Sequence, residues 1–265
     1  MIELIKYTTN PFKIFGIRGM FSDSEITLMR DKFPSDLYLF TLESNEKFSI
    51  SDGSYGMYLL KKDKFWKKIF NKFSSNYFLQ ELVDFVELDT KSSESFIVAS
   101  VNPLLNLFNR IRGKNLIDIR FQFSLMPSGS FIVPHTDSPD KLITLCIYIP
   151  NLDQEGSEKL GTNFYSANSD KSTFLNWENN HLAINSVEYK QFMKDHSILF
   201  RPIFSSKEVS GFIKSDKSWH GVDAVNLSVG HFRKSLNVNF NYYRGPSKLQ
   251  LYIKSLITSL RNDNL

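Results

Sequence analysis

The stretch Pro134-His135-Thr136-Asp137-Ser138-Pro139 places an imidazole and a carboxylate two residues apart. In a β-strand, residues i and i+2 face the same side, so His135 and Asp137 would stand together with Thr136 turned away. A second imidazole, His220 in Ser218-Trp219-His220-Gly221-Val222, would complete two histidines and one carboxylate on one side of a metal ion. The remaining positions of such an ion stay open for other ligands. His-x-Asp alone arises by chance in many chains, so the pair gains meaning only from what surrounds it. Pro134 cannot donate to a sheet ladder and suits a strand end, where ligands project from a barrel rim. The other histidines read as surface or hydrogen-bonded core. His181 lies beside Asn179 and Asn180 in a polar stretch, and His196 and His231 lack companions of this kind.

A second group lies further on. Arg233, Ser235, Asn237 and Asn239 share one face of an extended segment, while Val238, Phe240 and Tyr242 alternate with them. Polar groups on a core-facing stripe are costly when unpaired. The stripe therefore reads as the wall of a wet pocket that binds an anion, the competing reading being a surface arginine on a solvated sheet face. Arginine's planar fork holds a carboxylate through two parallel hydrogen bonds, and Ser235 would add a hydroxyl. Two histidines and a carboxylate with open positions form the ligand set of non-haem Fe(II) oxygenases.

Strands must position these side chains. Ile117 to Met126 alternates Ile119, Phe121, Phe123 and Leu125 against Arg120, Gln122 and Ser124, the pattern of a half-buried strand. Pro127-Ser128-Gly129 is a turn, and Phe131 to Asp137 is the next strand. Leu142 to Pro150 is nearly all apolar, as in a strand covered on both faces. Gly161 to Tyr165, Ser197 to Arg201, part of Lys214 to Val222, and Arg233 to Tyr243 supply further strands. Upstream, Ser22-Asp23-Ser24-Glu25 is a capping box that opens a helix, with Ile26, Met29 and Phe33 inward and Pro34 as its stop. One long helix is expected from about Lys62 to Glu87, because Phe65, Trp66, Ile69, Phe70, Phe73, Tyr77 and Phe78 recur at helical spacing. Ser95 to Val101 reads as a strand and Pro103 to Lys114 as a helix. A short helix around Val187 to Met193 and a last amphipathic helix from Pro246, with Leu249, Tyr252, Ile253, Leu256 and Leu260 inward, complete the set. The polar segment Ser166 to Asp195 and the stretch Ser205 to Lys217 are candidate lid or substrate loops.

Short strands after a helical start predict a mainly β chain with flanking helices (α+β), built on a double-stranded β-helix, or jelly-roll, core. One domain is expected over 1–265, with a helical and strand support region at 1–116, the core at 117–245 and a C-terminal helix at 246–265.

Composition narrows the classes. With 42% apolar and 14% aromatic residues, the 265-residue chain can bury a sizeable core and is not a disordered protein. Its net charge of +4 selects no partner class. Cys146 is the only cysteine, so no internal disulfide forms. The first residues, Met1-Ile2-Glu3-Leu4-Ile5-Lys6, show no signal peptide, and the run Leu142 to Pro150 is far short of the ~20 residues of a membrane span. A cytoplasmic protein without a membrane partner is expected. Lys61, Lys62, Lys64, Lys67 and Lys68 are read as a solvated helix face rather than a nucleic-acid site.

The order of these features resembles the 2-oxoglutarate and Fe(II)-dependent dioxygenases. His135-x-Asp137 is followed 83 positions later by His220, and thirteen further on by Arg233. The flanks Pro134 to Pro139, Leu142 to Ile149, Gly161 to Tyr165 and Trp219 to Val222 are similar to the prolyl 4-hydroxylase-like branch. The likeness runs from about Ile117 to Arg244. It implies that His135, Asp137 and His220 ligate Fe(II), and that Arg233, helped by Ser235, pairs with the distal carboxylate of 2-oxoglutarate. It implies O2 as co-substrate, succinate and CO2 as products, hydroxylation of an unactivated C–H, and ascorbate as a supporting reductant. The substrate would be a prolyl or other side chain of a protein or peptide, or a free amino-acid-like small molecule. One departure is plain: the tyrosine that this branch often places before the His-x-Asp strand is replaced here by Leu125-Met126-Pro127-Ser128-Gly129. Tyr148 and Thr144 are the candidates for its role. The alternative reading is a non-catalytic jelly-roll protein that binds or senses a metal or ligand.

Overall fold

Alternating apolar and polar residues build two sheets that face each other, and helices cover their outer sides. The computed structural model describes residues 2–43, 47–86, 96–100, 105–106, 109, 115–168 and 185–243. The strands are β1 (Glu3–Thr8), β2 (Ile14–Arg18), β3 (Thr41–Leu42), β4 (Phe48–Ser51), β5 (Phe96–Val98), β6 (Asn115–Pro127), β7 (Ile132–His135), β8 (Lys141–Tyr148), β9 (Asn163–Ala167), β10 (His196–Phe200), β11 (Glu208–Ile213), β12 (His220–Val222) and β13 (Phe232–Tyr242). The helices are α1 (Asp23–Asp31), α2 (Tyr55–Lys62), α3 (Lys64–Phe73), α4 (Asn76–Phe85) and α5 (Val187–Asp195). A nine-stranded sheet runs β1-β2-β11-β8-β13-β6-β4-β3, with β5 parallel to β6 and every other pairing antiparallel. A four-stranded antiparallel sheet runs β10-β9-β12-β7.

The chain is thus mainly β with flanking helices, and its layers follow from which faces are apolar. Helices α1 to α4 lie on one face of the large sheet, where Trp66, Ile69, Phe70 and Phe73 pack against Phe121, Phe123, Leu236 and Phe240. Trp66 meets Phe123 edge-on at 4.7 Å, and Phe70 lies 4.3 Å from Phe121. Each such pair adds ~1 kcal/mol beyond burial. The opposite face of the large sheet meets the small sheet through two apolar clusters. Met126, Cys146, Tyr148 and Val222 form one, and Ile14, Phe164 and Phe212 form the other. Tyr165, Trp219 and Phe192 pack α5 onto the outer side of the small sheet.

The structure corrects several expectations. The long helix expected from about Lys62 to Glu87 is two helices, α3 and α4, and α2 ends where it was expected to begin. Asp63 leaves helical geometry and its carboxylate accepts from the backbone N–H of Phe65 and Trp66, both at 2.9 Å, so it caps α3. Ser75 caps α4 by accepting from Phe78 N–H. Short polar side chains that capture backbone donors outcompete the continuing ladder, although the apolar period runs on through them. The hairpin β1–β2, to which the sequence assigns no strands within the expected support region at 1–116, extends the large sheet. Ser205 to Lys217 is not a loop throughout, since β11 is an interior strand paired to both β2 and β8. A Cβ at Gly211 would sit 2.5 Å from the Phe15 ring, so glycine permits the close packing that makes this stretch look like a turn in sequence. Strand β7 ends at His135, so Asp137 lies beyond it, in the connection to β8. The expected helix at 246–265, most of that at 103–114, and residues 169–184 with His181 lie outside the described residues.

Candidate functional site

Two imidazoles meet because their strands pair side by side. β12 runs antiparallel to β7 with His220 directly opposite His135, and the ring centroids are 4.3 Å apart. Gly221 makes the approach possible: a Cβ there would lie 2.7 Å from the Ile132 carbonyl oxygen. Each ring is oriented by its own backbone. His135 Nδ1 lies 2.9 Å from the Val133 carbonyl, and His220 Nδ1 lies 2.9 Å from the Ser218 carbonyl. A carbonyl only accepts, so each Nδ1 carries a proton and each Nε2 is the nitrogen that could serve a metal, as in metal-binding histidines.

Asp137 joins them from the β7–β8 connection. One donor atom from each of His135, Asp137 and His220 lies within 4.8 Å of the others. Asp137 is 5% exposed, and both its oxygens are engaged. Lys141 Nζ donates to Oδ1 at 2.6 Å, and Thr144 Oγ1 donates to Oδ2 at 3.0 Å. Burial works to raise the carboxyl's pKa, but Lys141 and the two imidazoles outweigh it and hold the group below the usual carboxylate range. The side chain is therefore an anion at neutral pH. Two imidazole nitrogens and an ionised oxygen on one side form a set that fits a divalent first-row metal.

Arg233 faces the same cavity from the other sheet. The guanidinium is buried, at 3% exposure for the residue, and no carboxylate partners it among the described residues. Its Nε donates to the Leu160 carbonyl at 2.6 Å, while its other nitrogens reach only Met126 Sδ at 3.6 Å and Thr162 Oγ1 at 3.5 Å. Tyr148 and Phe204 bracket it, their ring centroids 5.4 and 5.5 Å from the guanidinium carbon. Burial lowers its pKa, yet arginine stays protonated in proteins. A buried cation without a counter-ion costs several kcal/mol. A fork placed in this way can receive an anion from outside the chain.

The cavity between these groups measures about 140 Å³ and is lined by the triad together with Lys141, Thr162, Arg233, Ser235 and Asn237. That is room for on the order of ten water-sized atoms. Its mouth carries Glu43, Lys47 and Gln122, where Lys47 donates to Glu43 at 2.9 Å and Gln122 donates to Ser51 at 3.0 Å.

No protein-family model and no curated protein matches the chain. Among solved structures, a Pseudomonas putida prolyl-4-hydroxylase shares 12% identity over 88% of this chain and 94% of that one, with a TM-score of 0.46. HygX from Streptomyces hygroscopicus, with nickel, 2-oxoglutarate and hygromycin B bound, shares 11% identity over 88% and 84% of the two chains, with a TM-score of 0.45. The non-heme alpha ketoglutarate dependent carbocyclase SnoK from nogalamycin biosynthesis shares 9% over 86% and 80%, also at 0.45.

The expected site residues thus fall into two groups. His135, Asp137, His220, Arg233 and Ser235 all line one cavity. Thr144 lines the same cavity with its hydroxyl committed to Asp137, and Tyr148 has its hydroxyl committed to Thr162. The Tyr148 hydroxyl donates to Thr162 Oγ1 and accepts from Thr162 N–H, both at 3.0 Å, and Thr144 holds Asp137. His196 is buried with Nδ1 on the Phe192 carbonyl, and His231 pairs with Asp153 at the surface. Lys141 and Thr162 escaped the sequence reading. A lysine in a polar connection and a threonine at a strand start carry no signal until the fold turns them inward. The spacing of Lys141 from Asp137, four residues across a turn, is the one hint available.

Proposed function

We propose that the chain is an Fe(II)- and 2-oxoglutarate-dependent dioxygenase that hydroxylates an unactivated C–H bond, releasing succinate and CO2. The carrying observation is Arg233, a buried guanidinium without a carboxylate partner, in the same small cavity as two imidazoles and an ionised carboxylate. The two facing sheets fit a double-stranded β-helix of the prolyl 4-hydroxylase-like kind. His135 and His220 would present Nε2, and Asp137 a carboxylate oxygen, to the iron. Bound there, the iron supplies the redox chemistry that couples decarboxylation of 2-oxoglutarate to C–H oxidation.

The chain's own residues do the positioning. Arg233 takes the distal carboxylate of 2-oxoglutarate, which directs the keto-acid end toward the triad. The Tyr148 and Phe204 rings keep water from that ion pair and so strengthen it. Ser235, two residues along the same strand face, adds a hydroxyl donor. Thr144 fixes the Asp137 carboxylate, and Tyr148 fixes Thr162 beside the guanidinium. Both therefore act through their neighbours. The substrate, a prolyl or other peptide side chain or an amino-acid-like small molecule, would enter past Glu43, Lys47 and Gln122.

The test is anaerobic loading with Fe(II) followed by 2-oxoglutarate. A new visible charge-transfer band is expected, and on admitting air, succinate together with a product heavier by one oxygen from a peptide or metabolite pool. Absence of both band and succinate would instead favour a non-catalytic metal- or ligand-binding protein.

A further inference from the structure

Both oxygens of Asp137 are already hydrogen-bonded, and the two donors differ in kind. Thr144 is 4% exposed, and its hydroxyl also lies 3.3 Å from Asn239 Oδ1. It is neutral, short and held by the sheet. Lys141 is the opposite: a full positive charge on a four-carbon stem, with its side chain 24% exposed at the cavity wall. A metal ion on the triad needs an Asp137 oxygen and brings two positive charges to the place where Lys141 already supplies one. Thr144 has no room to withdraw and no charge to repel the ion. Lys141 has both.

We infer that Lys141 is a resident counter-cation that competes with the metal for Asp137, so that metal binding displaces its ammonium from the carboxylate. Thr144 is the positioning residue that keeps the carboxylate aimed while this exchange occurs. The two neighbours of one oxygen pair therefore act on metal affinity with opposite sign. A generic supporting shell would not behave this way, because removing an orienting partner of a metal ligand ordinarily weakens binding by about 10–100-fold.

The inference rests on the metal reading above, and its test reads metal binding rather than turnover. Wild type, Lys141→Met, Lys141→Arg and Thr144→Val are titrated with Co(II) and Mn(II) without oxygen, following the Co(II) ligand-field spectrum and the heat of binding. Lys141→Met should bind about tenfold more tightly, because the competing charge is gone. Lys141→Arg keeps the cation and should stay near wild type. Thr144→Val should bind about tenfold more weakly. Thermal denaturation before adding metal should show Lys141→Met less stable than wild type, and after saturation the larger metal-induced rise. Equal or weaker binding by Lys141→Met, with an unchanged Co(II) spectrum, overturns the inference and leaves the metal site standing. Failure of wild type to bind either ion overturns the metal reading itself. A Lys141→Met chain that does not fold leaves Lys141→Gln to decide: it removes the charge but keeps a polar side chain and should also bind metal more tightly than wild type, and wild-type or weaker affinity there rules the competition out.

Discussion

Arg233 shows how a single residue can be costly to the fold and necessary to the site. Its charge is buried between two rings with only a carbonyl, a hydroxyl and a thioether within reach. Replacing a buried unpaired charge by an apolar side chain of similar length is commonly neutral or stabilising. Arg233→Met should therefore melt at or above the wild-type temperature while losing 2-oxoglutarate binding by a hundredfold or more, about 3 kcal/mol. Arg233→Lys keeps charge but not the fork, and should fall between the two in a spectral titration. A destabilised Arg233→Met that still binds the keto acid would contradict the anion role. At this scale most of the site was legible in sequence. Arg233 and Ser235 lie on a two-residue period that a strand converts into a shared face, Asp137 follows His135 just past its strand, and His220 carries its glycine beside it. Lys141 and Thr162 were not legible, because their meaning depends on which atoms they reach.

Among the elements, α1 and α3 are tied together by Glu25. Its carboxylate takes part in the capping box with Ser22 and pairs with Lys68 at 3.1 Å and Lys72 at 2.9 Å. Burial pushes its pKa up, but Lys72, the Ser22 N–H and Lys68 prevail and bring it to about 2. The folded value is below the ordinary carboxylate value of ~4.3. The stabilisation is therefore complete above that value and is lost as pH falls toward 2. Glu25→Gln should cost about 1 kcal/mol at neutral pH and should flatten the acid limb of a stability-against-pH curve measured by denaturant unfolding. An acid limb identical to wild type would show that Glu25 carries no such linkage. The capping box was readable because its two residues are local. The division of one expected helix into α3 and α4, starting only after Asp63, was not, since Asp63 and Ser75 interrupt hydrogen bonds without interrupting the apolar period. β11 was missed for a related reason: Ser210 and Gly211 look like a turn, and only burial between β2 and β8 makes them a strand.

Across the whole molecule, the candidate metal ligands come from the small sheet and its connection, and the arginine from the large one, so the proposed site exists only while the sheets stay together. Cys146 reports on that seam. It lies on β8 against the small sheet, and burial pushes its thiol up to about 11. Few molecules carry the thiolate at mildly alkaline pH, so alkylation should proceed at the rate of opening of the sheets and should slow further when 2-oxoglutarate is added. Rapid alkylation unaffected by the keto acid would place the thiol outside this seam. The pairing that sets His220 opposite His135 has one more effect. Side chains alternate along a strand, so a slip by one residue would turn one imidazole to the wrong side of its sheet. A chain paired incorrectly there would look native in secondary-structure content yet have no place for an ion. The number of metal equivalents taken up by a preparation therefore counts its correctly assembled molecules, a built-in assay of folding quality that needs no substrate.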